Sequence, residues 1–307
     1  MQQPKRLQRG DTIGIIAPAS APNQQALQAS LSFLTQLGLR YEFGKTISSQ
    51  YGYLSARDDV RRADVEDMFR RDDIAGIICA CGGYGAARYV DELDFDIIRR
   101  HPKIFWGYSD ITVLHQALMQ RANLVTFHGP MLGSDIGKET FMLQSAAQFQ
   151  QLFTPTTLTY DAQFAPGLST ITAGRATGKI VGGNLSLLAS SVGTMYAPQT
   201  AGNILLIEDV NEPPYRIDGM LNQLRLARLF ENINGVIIGD FANASPSPEK
   251  ASLTLTEVFH HYFGTLGVPV LSGVKIGHCQ PHFALPLGVE ATLDATKQTI
   301  VITPGVR

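Results

Sequence analysis

Two hydrophobic periods alternate through the first half of the chain, and that alternation narrows the fold more than any single residue does. Residues 12–20, TIGIIAPAS, form the short apolar run of a buried strand, and residues 23–39, NQQALQASLSFLTQLGL, follow with the period of an amphipathic helix. The pair recurs. ARDDVRRADVEDMFRRDD (56–73) is helical with Ser55 as its N-cap, IAGIICACG (74–82) is a strand, and ARYVDELDFDIIRRH (87–101) is helical again. KIFWGYS (103–109), DITVLHQALMQRA (110–122), LVTFHGP (124–130) and KETFMLQSAAQFQQLF (138–153) continue as strand, helix, strand, helix. Strands that alternate with helices predict a Rossmann-like (flavodoxin-like) parallel sheet with helices on both faces.

After residue 154 the texture changes. Residues 155–178 are rich in Thr, Gly and Pro with no helical period, so 155–176 reads as a linker between an N-terminal α/β domain (1–154) and a smaller, β-rich C-terminal α/β domain (177–307). Strand-like segments there are 176–183, 203–210, 234–241, 269–277 and 289–303, interrupted by helices near 217–230 and 254–264.

The composition excludes several classes. Lys+Arg 25 against Asp+Glu 27 gives a formal net charge of −2 with no basic block to grip a phosphate backbone, which argues against nucleic acid. The three cysteines, Cys79, Cys81 and Cys279, contain no CxxC pair, so neither a disulfide framework nor a zinc site is indicated. No run approaches the roughly 20 apolar residues of a membrane helix. The early apolar run IGIIA is short and follows Asp11, unlike a secretory signal. A soluble cytoplasmic protein is the expectation.

Two strand-to-helix turns could carry chemistry. In Gly107-Tyr108-Ser109-Asp110 the serine hydroxyl would project above the sheet edge beside free N–H groups of the helix start, which suits a nucleophile and an oxyanion donor, the Asp110 N–H. A plain helix cap fits the same residues. In Cys81-Gly82-Gly83-Tyr84-Gly85 the glycines let backbone approach a ligand. A dinucleotide fingerprint is incomplete there, because Arg88 stands where the third glycine belongs, leaving a tight turn or a second oxyanion donor, Gly83. GRATGKIVGGN fails as a P-loop, since Ile180 follows Lys179.

A nucleophilic serine needs a base and an acid to orient it. Of seven histidines, His260 and His261 are adjacent on a helix, His101 ends one, and His115 lies too far along its helix to reach back, leaving His128, His278 and His282. Glu208, Asp209 and Glu212 in LLIEDVNEPPYRID (205–218) stand where an apolar strand ends, a position from which a carboxylate can hold an imidazole.

Taken in order, GGYG, GYSD, GGN, LLIEDVNEPPYRID and GHCQPHFALPLG resemble the LD-carboxypeptidases, a family of serine peptidases that includes murein tetrapeptide carboxypeptidases and microcin-immunity peptidases. The resemblance spans nearly the whole chain. It implies a Ser–His–Glu triad of Ser109, His278 and Glu208 divided between two domains, with Gly83 and Asp110 N–H groups as the oxyanion hole. It implies a muropeptide substrate cut between meso-diaminopimelate and a terminal D-alanine, and a homodimer; the triad chemistry itself calls for no cofactor and no metal, and the absence of a long apolar run argues against a membrane partner. Tyr84, Gly85, His128 and Arg216 are candidate substrate contacts, Arg216 through a bidentate grip on a carboxylate.

Other readings differ in what they require. An α/β-hydrolase elbow needs glycine two residues after the serine, where Ile111 stands. A nucleotide-binding oxidoreductase needs the missing third glycine, and a non-catalytic muropeptide-binding protein would leave Ser109 idle. Within the family, an immunity-type peptidase would cut a peptidyl-nucleotide toxin; PPYRID close after the acid favours the murein branch.

Overall fold

The computed structural model describes residues 1–246 and 251–307, which group into two compact units: 1–156 with 284–288 and 304–307, and 157–283 with 289–303.

The first unit is built on five parallel strands, β1 (Thr12–Ile16), β2 (Arg40–Phe43), β3 (Ile74–Cys79), β4 (Ile104–Gly107) and β5 (Thr126–His128), in the order β5-β4-β3-β1-β2. The helices α1 (Gln24–Gln36), α2 (Asp58–Arg70), α3 (Phe95–Arg100), α4 (Thr112–Ala122) and α5 (Leu143–Ala147) connect or follow them. This is the flavodoxin-like order, whose winding reverses between β1 and β3. Such a fold opens its crevice there, at the carboxyl ends of the strands. The loop after β1 and the glycine loop after β3 both start at that point.

Trp106 anchors β4 three residues before Ser109. It is fully buried, donates its indole N–H to the Pro130 carbonyl at 2.8 Å, and lies 4.3 Å from the Phe149 ring centroid. Gly129 makes room for it, since a Cβ there would fall 2.5 Å from Trp106 Cε2.

The second unit begins with β6 (Leu158–Tyr160), β7 (Ser169–Thr172), β8 (Arg175–Asn184), β9 (Ile204–Val210), β10 (Gly235–Ala242) and β11 (Val270–Ser272), with helices α6 (Leu185–Ser190), α7 (Pro214–Leu226) and α8 (Leu255–Phe263). The chain then returns β12 (Leu285–Leu287) to the first sheet, antiparallel beside β5, before β13 (Glu290–Asp294) and β14 (Thr299–Ile302) complete the second. The second sheet runs β6-β14-β13-β8-β9-β10-β11-β7, parallel across β8 to β11. Leu205, Ile207, Val236 and Ile238 of its central strands pack with Leu188, Leu221, Leu224 and Phe263 of the three helices.

Several segments differ from the expectation. Residues 155–176 hold β6 and β7, edge strands that show little buried alternation and so read as irregular in sequence. The all-exposed β2 escapes notice for the same reason. The helix expected over 87–101 divides into two 3-10 turns and α3, because Asp94 accepts the Asp96 and Ile97 N–H groups and starts a new helix. Ser55 is not an N-cap: its hydroxyl donates to the Ala17 carbonyl, and α2 starts at Asp58. The helix expected over 138–153 is the short α5 followed by a 3-10 turn.

Trp106→Ala should cost about 3–5 kcal/mol, the range for removing a large buried aromatic. Urea unfolding measures it, and a loss under about 1 kcal/mol would show that β4 is anchored elsewhere.

Candidate active site

Ser109 follows β4 in a left-handed conformation with φ 65°, and a short 3-10 turn, Ser109–Ile111, leads into α4. A side-chain-bearing residue at such φ costs on the order of 1–2 kcal/mol, held in place by the packing around it. That packing is visible. The Gly107 carbonyl accepts from His115 Nε2 at 2.8 Å and from the Gly129 N–H at 3.2 Å, and Tyr108 donates its hydroxyl to Asp135 at 3.0 Å. His115 is therefore a buried buttress of the turn, and burial lowers its pKa to about 3.

The glycine loop lies against the serine. A Cβ on Gly82 would fall 2.9 Å from Ser109 Cβ, 3.1 Å from its Oγ and 3.4 Å from the Asp110 N. Gly83 and Gly85 both have positive φ, 108° and 116°. The Asp110 carboxylate accepts the Ala86 N–H at 2.8 Å, and Ser20 accepts the Tyr84 N–H at 3.2 Å. Beneath the loop, the fully buried Arg61 donates to the Pro18 carbonyl at 3.1 Å and pairs with Asp58. Among the described residues neither the Gly83 nor the Asp110 N–H has a backbone acceptor. Both are available to an anionic oxygen.

Burial pushes the Asp110 carboxyl up from 3.8 to about 6, opposed by the Ala86 and Gly85 N–H bonds and the Arg61 charge. Between those values the folded chain holds a proton that the unfolded chain has released, so through this group stability falls as pH rises from 3.8 to about 6. Wild type should therefore lose stability relative to Asp110→Asn across that window. Urea titrations at pH 4 and pH 7 measure the difference; a gap independent of pH would contradict the raised value.

The second unit holds a histidine on a carboxylate. Glu208 and Asp209 are consecutive on β9, so they point to opposite faces of the sheet. Asp209 is spent on α6: it accepts the Ser186 N–H and hydroxyl at 2.8 Å each and the Asn184 amide at 3.1 Å. Burial raises its carboxyl, with the Ser186 hydrogen bond opposing. Glu208, fully buried, takes His278 Nδ1 at 2.9 Å. A carboxylate only accepts, so Nδ1 carries the proton and Nε2 is left as the basic nitrogen. Two glycines leave space for this acid. A Cβ on Gly277 would fall 2.5 Å from Glu208 Oε2, and one on Gly239 would fall 3.1 Å from Glu208 Cβ. The His278 side chain is 20% exposed, enough to meet a ligand.

The other candidates have partners of their own. Glu212 pairs with Arg216 at 3.2 Å on the exposed start of α7, so the Arg216 guanidinium already has a carboxylate partner. His128 is fully buried on β5, its ring 5.5 Å from that of Tyr108. His282 is also fully buried, its Nε2 facing the Gly277 N–H at 3.5 Å. Tyr84 is exposed and meets Tyr53 edge to face at 5.6 Å. Gly85 serves the loop itself, since a Cβ there would fall 2.7 Å from an Arg61 nitrogen. Sequence reasoning missed Ser20, Arg61 and the Asp110 carboxylate. Arg61 is one of five arginines on or beside α2, and nothing in their spacing marks the buried one.

A flavodoxin-like unit with a left-handed serine at its strand-to-helix turn, joined to a β-rich unit with a carboxylate-held histidine, is a two-unit α/β protein with hydrolase-type groups. The chain belongs to the LD-carboxypeptidase family, whose N-terminal domain matches residues 13–129 and whose C-terminal domain matches residues 177–293. It is 47% identical to a probable murein peptide carboxypeptidase of Bacillus subtilis, over 99% of this chain and 95% of that one. Among solved structures it is similar to an MccF-like protein from Bacillus anthracis, with TM-score 0.90 and 27% identity over 99% and 100% of the two chains. It is also similar to a muramoyltetrapeptide carboxypeptidase from Oxalobacter formigenes, with TM-score 0.85 and 27% identity over 95% and 97%. No helix among the described residues is long and apolar enough to cross a membrane.

Proposed function

We propose that the chain is a serine LD-carboxypeptidase that releases the terminal D-alanine of muropeptide tetrapeptides at the meso-diaminopimelate–D-alanine bond. Family membership and the murein peptide carboxypeptidase relative support the substrate class. The observation that carries the mechanism is the 2.9 Å contact of His278 Nδ1 with buried Glu208, which leaves Nε2 basic. In this reading His278 removes the Ser109 proton as Oγ attacks the carbonyl, and Glu208 stabilises the imidazolium. The tetrahedral oxyanion takes the Gly83 and Asp110 N–H groups. As the intermediate collapses, the imidazolium protonates the D-alanine amine and the acyl-enzyme remains. Water, deprotonated by His278, then attacks the ester and returns Ser109 and a tripeptide. The setting proposed is cytoplasmic peptidoglycan recycling, with the protein a homodimer.

Incubation with L-Ala-D-Glu-mDAP-D-Ala, followed by mass, should show D-alanine release. Ser109→Ala should abolish it, and Glu208→Gln should lower kcat by about 100- to 10,000-fold with folding unchanged. Release that persists in Ser109→Ala would refute the mechanism. The likeness to the MccF-like structure favours a second reading, cleavage of a peptidyl-nucleotide toxin. An intact tetrapeptide beside a cleaved aminoacyl-sulfamoyl nucleotide would select it.

A further inference from the structure

Three of the hydrogen bonds that fix the glycine loop to its surroundings each involve a residue that the proposed reaction does not itself use or a part of one that it does not use. The Ser20 N–H donates to the Gly82 carbonyl at 3.2 Å, the Tyr84 N–H donates to Ser20 Oγ at 3.2 Å, and the Ala86 N–H donates to the Asp110 carboxylate at 2.8 Å. Gly83 sits between these points with its N–H uncommitted to any backbone acceptor among the described residues. Its own backbone is pressed onto Ser20, since a Cβ on Gly83 would collide with the Ser20 side chain. Asp110 joins the two halves of the arrangement, because its N–H is one proposed oxyanion donor and its carboxylate holds the loop that bears the other. Arg61 ties the same two segments from below: it donates to Pro18, two residues before Ser20, and lies under Gly85.

We propose that the Ser20 hydroxyl and the Asp110 carboxylate are positioning residues that together aim the Gly83 N–H at the oxyanion, fixing its spacing from the Asp110 N–H. The inference rests on the serine-hydrolase reading and deepens it. Neither side chain touches the reacting atoms. Their effect falls on the transition state, where charge develops on the carbonyl oxygen, and not on substrate binding. A fully lost oxyanion donor lowers kcat by about 100- to 1,000-fold, so a donor left in place but poorly aimed should cost less.

The test compares Ser20→Ala, Asp110→Ala and Asp110→Asn on the mDAP tetrapeptide. Turnover is expressed per serine titrated with a fluorophosphonate, so that unfolded protein is not counted as slow enzyme. Asp110→Ala should lower kcat by about 10- to 100-fold and Ser20→Ala by about 3- to 10-fold, each with KM within about twofold of wild type. Asp110→Asn keeps an oxygen to accept the Ala86 N–H and should recover to within about threefold of wild type. Wild-type kcat in both alanine variants, a loss confined to KM, or no recovery in Asp110→Asn would each overturn the inference. If Asp110→Ala does not fold, Ser20→Ala decides, and an unchanged kcat there overturns it. D-alanine release by Ser109→Ala would instead overturn the underlying reading.

Discussion

The parallel pairing of β1 with β3, and of β3 with β4, is the constraint on which the rest of the first unit depends. Register along these strands matches Ile16 with Cys79 and Ile78 with Trp106, so the three strands leave the sheet at nearly the same level. The loops that follow are then forced together: the Ser20 segment, the glycine loop and the serine turn. None of the hydrogen bonds among them needs a long side chain, and each has a backbone N–H or C=O group on at least one side. A strand slipped by two residues would move its loop by about 7 Å and separate them.

Much of this was legible in the sequence because it is periodic. The strands β1, β3, β4 and β5 were expected from apolar runs, and the serine turn and glycine loop from their place at the ends of those runs. What the sequence hid lacks a pattern. β2, β6 and β7 lie at sheet edges, where water faces the chain and no buried alternation is imposed. Ser109, Glu208 and His278 follow from the family motifs, whereas the residues themselves leave Asp209, Glu212, His128 and His282 open. The structure separates the acids by what each holds. Glu208 faces His278, Asp209 caps α6, and Glu212 pairs with Arg216. Side-chain partners of this kind depend on register between distant strands, which one chain's periodicity does not encode.

The serine turn is energetically uphill in two separate ways. Ser109 occupies a backbone conformation that a side chain disfavours, and Asp110 carries a carboxylate that burial resists ionising. Both are offset locally, by the hydrogen bonds at Gly107 and by the loop N–H groups, and by the buried Arg61 charge. Neighbouring unfavourable groups on one turn are a common mark of a site selected for what it binds rather than for stability.

The return of β12 to the edge of the first sheet has a consequence for how the chain comes into being. β5 has no partner on its outer side until residues 284–288 exist, so during synthesis the N-terminal portion carries an open parallel edge while most of the second unit is being made. The early fold is therefore provisional. A fragment ending at residue 156 would keep the serine turn and the glycine loop yet expose Phe127 and its neighbours along a bare strand. Tethering the late strand early, by circular permutation, would be the natural way to make that unit stand alone.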